Sequence, residues 1–215
     1  MMQKEHVTSV TISRLYDSYS AASQVVGDLE AAGLPYAEIS IVSSNADNWY
    51  TPKKTAAGKI DRDGSGVDDR VEGAETGAGI GAAIGGGAGL LAGLGLMAIP
   101  GIGPVVAAGW LVATAVGAVA GGTTGGIIGA LTQTGVSKED AEAYAEGVRR
   151  GGTLVTARVP DKDRGRYEAI MNRSGVNIRD RAAAYRKAGW TSFDPSASPY
   201  SPEQARKERE MYSRL

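Results

Sequence analysis

Residues 10–41, VTISRLYDSYSAASQVVGDLEAAGLPYAEISI, and residues 154–178, LVTARVPDKDRGRYEAIMNRSGVNI, carry the same order of signals. In the first, Val10 and Ile12 alternate with Thr11 and Ser13, the period of a strand with one buried face. Ala22, Val25, Val26, Leu29 and Ala32 then recur at helical spacing. Gly33 follows, where a helix C-terminus favours a left-handed glycine. Ile39, Ile41 and Val42 form the next strand. In the second stretch, Val155, Ala157 and Val159 alternate, Tyr167, Ile170 and Met171 mark a helix, and Gly175 stops it before a strand at Val176 and Ile178. Neither β-α-β half can bury both its sheet and its helix alone. Paired, they predict an α+β fold with a ferredoxin-like four-stranded sheet and helices on one face.

Outward from these halves, Ser137-Lys138-Glu139-Asp140 resembles a capping box. It opens a helix with Ala141, Tyr144, Ala145 and Val148 on one face, ended by Gly151-Gly152. Residues 190–200 are irregular and rich in Pro and Ser. Ser201-Pro202-Glu203-Gln204 then supplies a cap, a first-turn proline and a box partner for a charged helix. Met211, Tyr212 and Leu215 are its apolar handles, for docking on a neighbouring subunit if the helix is not simply frayed.

Between the halves the composition breaks. No Asp, Glu, Lys or Arg occurs between Glu75 and Lys138, and most of the 31 glycines lie there. The chain divides into a first β-α-β half (1–50), an acidic and polar linker (51–72), an apolar segment (73–135), a second half (136–189) and a tail (190–215). Within the apolar segment Gly73, Gly77, Gly81, Gly85, Gly89 and Gly93 fall on every fourth residue. After Ile99-Pro100-Gly101-Ile102-Gly103-Pro104 the register resumes at Gly109, Ala113, Gly117, Gly121, Gly125 and Gly129. Pro100, Gly101, Gly103 and Pro104 end one helix and reverse the chain, so the segment predicts a long glycine-zipper helical hairpin. Each glycine costs a helix interior about 1 kcal/mol relative to alanine. Close helix packing along a groove of glycines offsets that cost. A flexible linker would instead carry Ser, Asn or Gln without a period.

The hairpin has two destinations. Thr76–Ala98, at about 1.5 Å per residue, is long enough for the roughly 30 Å apolar core of a bilayer. Gly and Ala contribute little insertion energy, however, and Trp110 is the one aromatic placed for an interface. The alternative is burial against other copies of the chain.

Composition excludes several classes. With 23 Lys+Arg against 24 Asp+Glu and a net charge of −1, no basic excess draws the chain to nucleic acid or anionic lipid. The absence of cysteine removes disulfides, thiolate nucleophiles and cysteine metal sites. The single histidine, His6, makes a Ser-His-Asp triad or a multi-histidine metal site a poor fit. No small-molecule substrate is identified. The first twenty residues lack an apolar stretch, which predicts a cytoplasmic protein.

Two further motifs compete with plainer readings. Asp61, Asp63, Ser65, the Val67 carbonyl, Asp69 and Glu72 have the spacing of a calcium-binding EF-hand loop, with Gly66 at the turn. Asp68 departs from the usual aliphatic residue, and an acidic linker capping the next helix accounts for the same residues. Gly77-Ala78-Gly79-Ile80-Gly81-Ala82 contains G-x-G-x-x-A, but acidic helix-start residues precede it rather than a strand. Arg149, Arg150, Arg164, Arg166, Arg173, Arg179 and Arg181 are interleaved with acids and lack an aromatic platform, as on a solvated face rather than an RNA surface.

Three stretches together resemble the bacterial general stress protein 17M-like family: SRLYDSYSAASQVVGDLEAAGLPYAEISIVS, GLLAGLGLMAIPGIGPVVAAGWL and GVSKEDAEAYAEGVRRGGTLVTARV. They fall within residues 10–180, and the AIPGIGPV turn is the most specific. The resemblance implies a stress-associated bacterial protein with a glycine-zipper core and brings no catalytic residues. The expectation is therefore a non-enzymatic stress protein that forms homo-oligomers. The alternatives are a protein anchored in membrane lipid by its hairpin and a calcium-responsive switch at Asp61–Glu72.

Overall fold

The computed structural model describes residues 8–46, 48–50, 94–120 and 126–212. Strand β1 (Ser9–Tyr16) leads into helix α1 (Tyr19–Ala31), which Ser18 caps by accepting a hydrogen bond from the Ala21 amide. Gly33 reverses the chain at φ +90°, in the left-handed conformation expected of it. A turn of 3-10 helix at Tyr36–Glu38 then delivers β2 (Ile39–Ser44). After β3 (Gly95–Ile99) and β4 (Gly103–Gly109) come α2 (Trp110–Ala120), α3 (Gly126–Gln133) and α4 (Lys138–Arg149). Strand β5 (Thr153–Pro160), α5 (Arg164–Asn172), α6 (Ile178–Lys187) and α7 (Pro202–Tyr212) complete the described chain.

The strands form one antiparallel sheet in the order β1-β5-β2-β4-β3. β5 lies between β1 and β2 and pairs with both, so the two strands of the first half are parallel to each other but not adjacent. The β3–β4 hairpin extends the sheet beyond β2.

Helices cover both faces rather than one. Ile12, Tyr16, Ile39, Ile41, Val106, Val155, Ala157 and Val159 pack under α1 and α5. On the other face Leu15, Val42, Val105, Ala107 and Leu154 meet α2, α3, α4 and α6. All six residues of β2 are buried, which only a strand covered on both faces requires. The predicted strand at Val176 and Ile178 is a single bridge between Val176 and Leu15. The Asn177 side chain accepts hydrogen bonds from the Arg179 and Asp180 amides and starts α6 there instead.

The predicted helical hairpin is also corrected. Its first arm, with Gly73, Gly77, Gly81, Gly85, Gly89 and Gly93, lies outside the described residues. Residues 95–109, expected to be helical on both sides of the turn, are a β-hairpin. Pro100, Gly101, Gly103 and Pro104 do reverse the chain, but between strands. Gly101 and Gly103 take φ +74° and +99°, a left-handed geometry suited to a short strand connection. Pro104 stands opposite Ala98, and its carbonyl accepts from the Asn45 amide on the β2 side. The second arm is split into α2 and α3, which pack against each other.

Gly109 holds the crossing from β4 to α2. At φ +97°, a Cβ there would run into the Ile39 carbonyl oxygen and Ser40. Gly33 has the same backbone handedness, but a methyl group there would meet no atom within 4 Å. Urea unfolding should therefore rank the two: about 2–4 kcal/mol lost for Gly109→Ala, against about 1–2 kcal/mol for Gly33→Ala. Equal losses would refute the close approach at Gly109.

Candidate functional site

β1 is paired along its length on one side only. On the other, the Val176 amide donates to the Leu15 carbonyl at 2.7 Å, and beyond that bridge the edge opens into a cleft of about 770 Å³. It is lined by Thr11, Ser13 and Arg14 of β1, by Asp140 and Tyr144 of α4, and by Glu168 and Asn172 of α5. The walls are positioned by helix caps. Ser137 Oγ accepts from the Asp140 amide at 3.1 Å and fixes the start of α4, as its capping sequence predicts.

Most polar groups in the cleft already have partners. The Tyr144 hydroxyl donates to the Ser13 carbonyl at 2.7 Å, and Arg14 Nη1 donates to the same oxygen at 2.7 Å. Arg14 Nε donates to Asn172 Oδ1 at 2.6 Å. Arg164 pairs with Glu168 at 3.0 Å, and Arg179 lies 4.0 Å from Asp140. Burial raises the Tyr144 phenol to about 12, against the lowering effect of Arg14. At neutral pH that hydroxyl is a hydrogen-bond donor, not a base. The arrangement offers hydrogen bonds and paired charges rather than an activated nucleophile.

A second cluster ties the tail to the body. Glu146 is fully buried and accepts from Arg149 at 2.7 and 2.8 Å and from Arg150 at 2.6 Å. Arg150 reaches on to Glu208 of α7 at 2.7 Å and lies over the Tyr185 ring. Arg181 forms a forked pair with Asp17 at 2.7 and 3.1 Å and lies 3.9 Å from the Tyr212 ring centre. Ser201 Oγ accepts from the Gln204 amide while the Gln204 side chain accepts from the Ser201 amide, the reciprocal cap read from the sequence. The tail therefore docks on its own chain through Tyr212, while Met211 stays exposed and Leu215 lies outside the described residues. Ala205 is buried in that contact, and Pro195 and Pro199 press on the β3–β4 turn. A Cβ at Gly101 would lie 2.6 Å from Pro195, and one at Gly103 would lie 2.6 Å from Pro199.

The remaining ladder positions are dispersed. Gly109 meets a strand, Gly117 lies in α2, and Gly129 lies in α3 with nothing within 4 Å of its Cβ position. Gly121, Gly125 and the calcium-loop residues Asp61–Glu72 lie outside the described residues. Among the described residues no group of three or more acids or histidines could hold a metal ion, and no helix is long and apolar enough to cross a membrane. The arginine run is largely paired: Arg173 with Asp28, Arg164 with Glu168, Arg181 with Asp17. Comparison with protein-family models, curated proteins and solved structures finds no match.

Sequence reasoning did not find the cleft, whose residues are scattered from Thr11 to Arg179. Glu146 did leave a signal, because Arg149 and Arg150 follow it by three and four residues on one helix.

Two outcomes are expected. Glu146→Ala takes the shared carboxylate from two largely buried arginines, leaving Arg149 without an acid and Arg150 with Glu208 alone, and should cost about 3–5 kcal/mol, with proteolysis of the tail accelerating in the same variant. Unchanged urea midpoints would refute the network. The second concerns alkaline pH. The buried phenols of Tyr16, Tyr144 and Tyr185 are all raised above the ordinary 10, chiefly by burial. A raised phenol holds its proton longer folded than unfolded. Stability is therefore complete below pH 10 and is lost as pH rises through about 12. Tyr144→Phe should reduce that alkaline loss, read as the difference in unfolding free energy between pH 9 and pH 11.

Proposed function

We propose that this chain is a non-enzymatic protein of the bacterial general-stress type, acting by association with copies of itself through its uncharged middle segment. The observation that carries this reading is where the described part of that segment lies. Its strands β3 and β4 sit at one end of the sheet, beyond β2, while α2 and α3 close one face of the core. Leu96 on its outermost strand is 47% exposed, and Gly129 on α3 faces open space. An uncharged edge strand is a template on which another chain can pair. The sequence supports the same reading, since the six-step ladder from Gly73 to Gly93 has the spacing of close helix packing and no evident chemistry.

We further read the charged parts as a ferredoxin-like platform. The crossover from β1 through α1 to β2, with β5 inserted between, supports this, as does the Val176 stub on the outer side of β1. On that reading the β3–β4 hairpin is an addition to the platform.

Sedimentation of the purified protein tests the proposal. The expected particle is a multiple of the 22.1 kDa chain. Gly129→Leu should weaken association at least tenfold by blocking close approach on α3. Gly165→Leu, equally open but on the charged helix α5, should not. A wild-type monomer would overturn the reading.

A further inference from the structure

The two edges of the sheet are built differently. The edge of β1 is met by Val176 and walled by Arg14, Asp140, Arg164 and Glu168, the kind of charged cover that prevents strands from pairing with a stranger. The edge of β3 has no such guard among the described residues. Gly95-Leu96-Met97-Ala98-Ile99 holds no charge, no proline and no lysine, and no described strand pairs with its outer side. Leu96 and Ala98 are exposed, whereas Met97 and Ile99 pack against the core.

Pairing with β4 fixes which main-chain groups point outward. In an antiparallel ladder the residues of one strand turn their amide and carbonyl alternately toward and away from the neighbour. The Ile99 carbonyl accepts from the Ile102 amide inside the hairpin turn. Opposite Ala98 stands Pro104, which has no amide to give and turns its carbonyl to Asn45. Met97 and Ile99 therefore face β4, and Leu96 and Ala98 face outward.

We propose that β3 pairs antiparallel with β3 of a second copy, about a two-fold axis at Met97, joining two sheets into one. This rests on the self-association proposed above and names its joint. The register satisfies the outward groups of both copies, because Leu96 of each meets Ala98 of the other in a hydrogen-bonded pair. Met97 then faces Met97 across the axis. The edges meet without like charges, since the whole stretch from Thr76 to Ser137 is uncharged. A charged peptide or a nucleic acid finds nothing complementary there.

The chain has no cysteine, so a single introduced one reports its own neighbours. Met97→Cys should oxidise to a disulfide dimer in most of the protein. Ala188→Cys, exposed at the end of α6, should remain largely unlinked. An equal mixture of Leu96→Cys and Ala98→Cys should link more than either alone, which provides a second test if Met97→Cys disturbs the core. Ala98→Pro removes only an outward amide, so folding by circular dichroism should be retained while association falls at least tenfold. If the wild-type protein assembles but none of these cysteine variants links above the Ala188→Cys level, the β3 joint is overturned and self-association stands. A wild-type monomer, or a monomer that floats with phosphatidylcholine vesicles, overturns both.

Discussion

Strand β5 lies between β1 and β2, which follow one another in sequence and never pair. Each half supplies what the other lacks. Without β5, the first half is two parallel strands held a strand's width apart by α1. Without β1 and β2, β5 has no partner among the described strands. The join is tightened by polar side chains on buried positions, Ser13 with Thr156 at 3.3 Å and Ser43 with Thr153 at 2.8 Å. Cross-strand hydroxyl pairs of this kind are small contributions individually, but here they register strands more than a hundred residues apart.

Because β2 is buried on both faces, β4 beside it is also covered on both, and only β3 at the edge leaves one face open at Leu96 and Ala98. That two-sided cover explains the arrangement of the apolar segment. Ser40 Oγ accepts from the Leu111 amide at 2.8 Å, so a side chain of β2 satisfies the first turn of α2. Gly109 allows the backbone of β4 to pass close enough for that contact. The tail closes the far side, with its prolines seated on turn glycines that could carry no side chain.

The first β-α-β half, the strand and helix that open the second, the caps at Ser137 and Ser201 and the left-handed Gly33 were legible because each rests on local chemistry. The β-hairpin at 95–109 was not. Its residues are apolar on both faces, and a continuous apolar run reads equally as a strand or a buried helix. The four-residue glycine spacing happens to continue through Gly109, which is glycine for a different reason: a positive φ beside β2. The second expected strand of the later half failed on one residue, Asn177, whose capping side chain favours a helix start. The tail's docking depends on Arg150, which Glu146 holds and whose partner Glu208 on α7 is distant in sequence and carries no periodic signature. The cleft beside β1 is assembled from four separate elements and could be read only in three dimensions.

The central place of β5 also sets the order in which the protein can be completed during synthesis. β2 ends at Ser44, whereas β5 begins at Thr153. At the usual elongation rates of about 5–20 residues per second, on the order of 5–20 s separate the two. During that interval β1 and β2 have emerged, apolar on their inner faces, with no strand to hold them apart. The uncharged middle segment leaves the ribosome in the same interval. For the whole of that interval the inner faces of β1 and β2 wait for the strand that joins them, so the strand order sets how long the nascent chain exposes them.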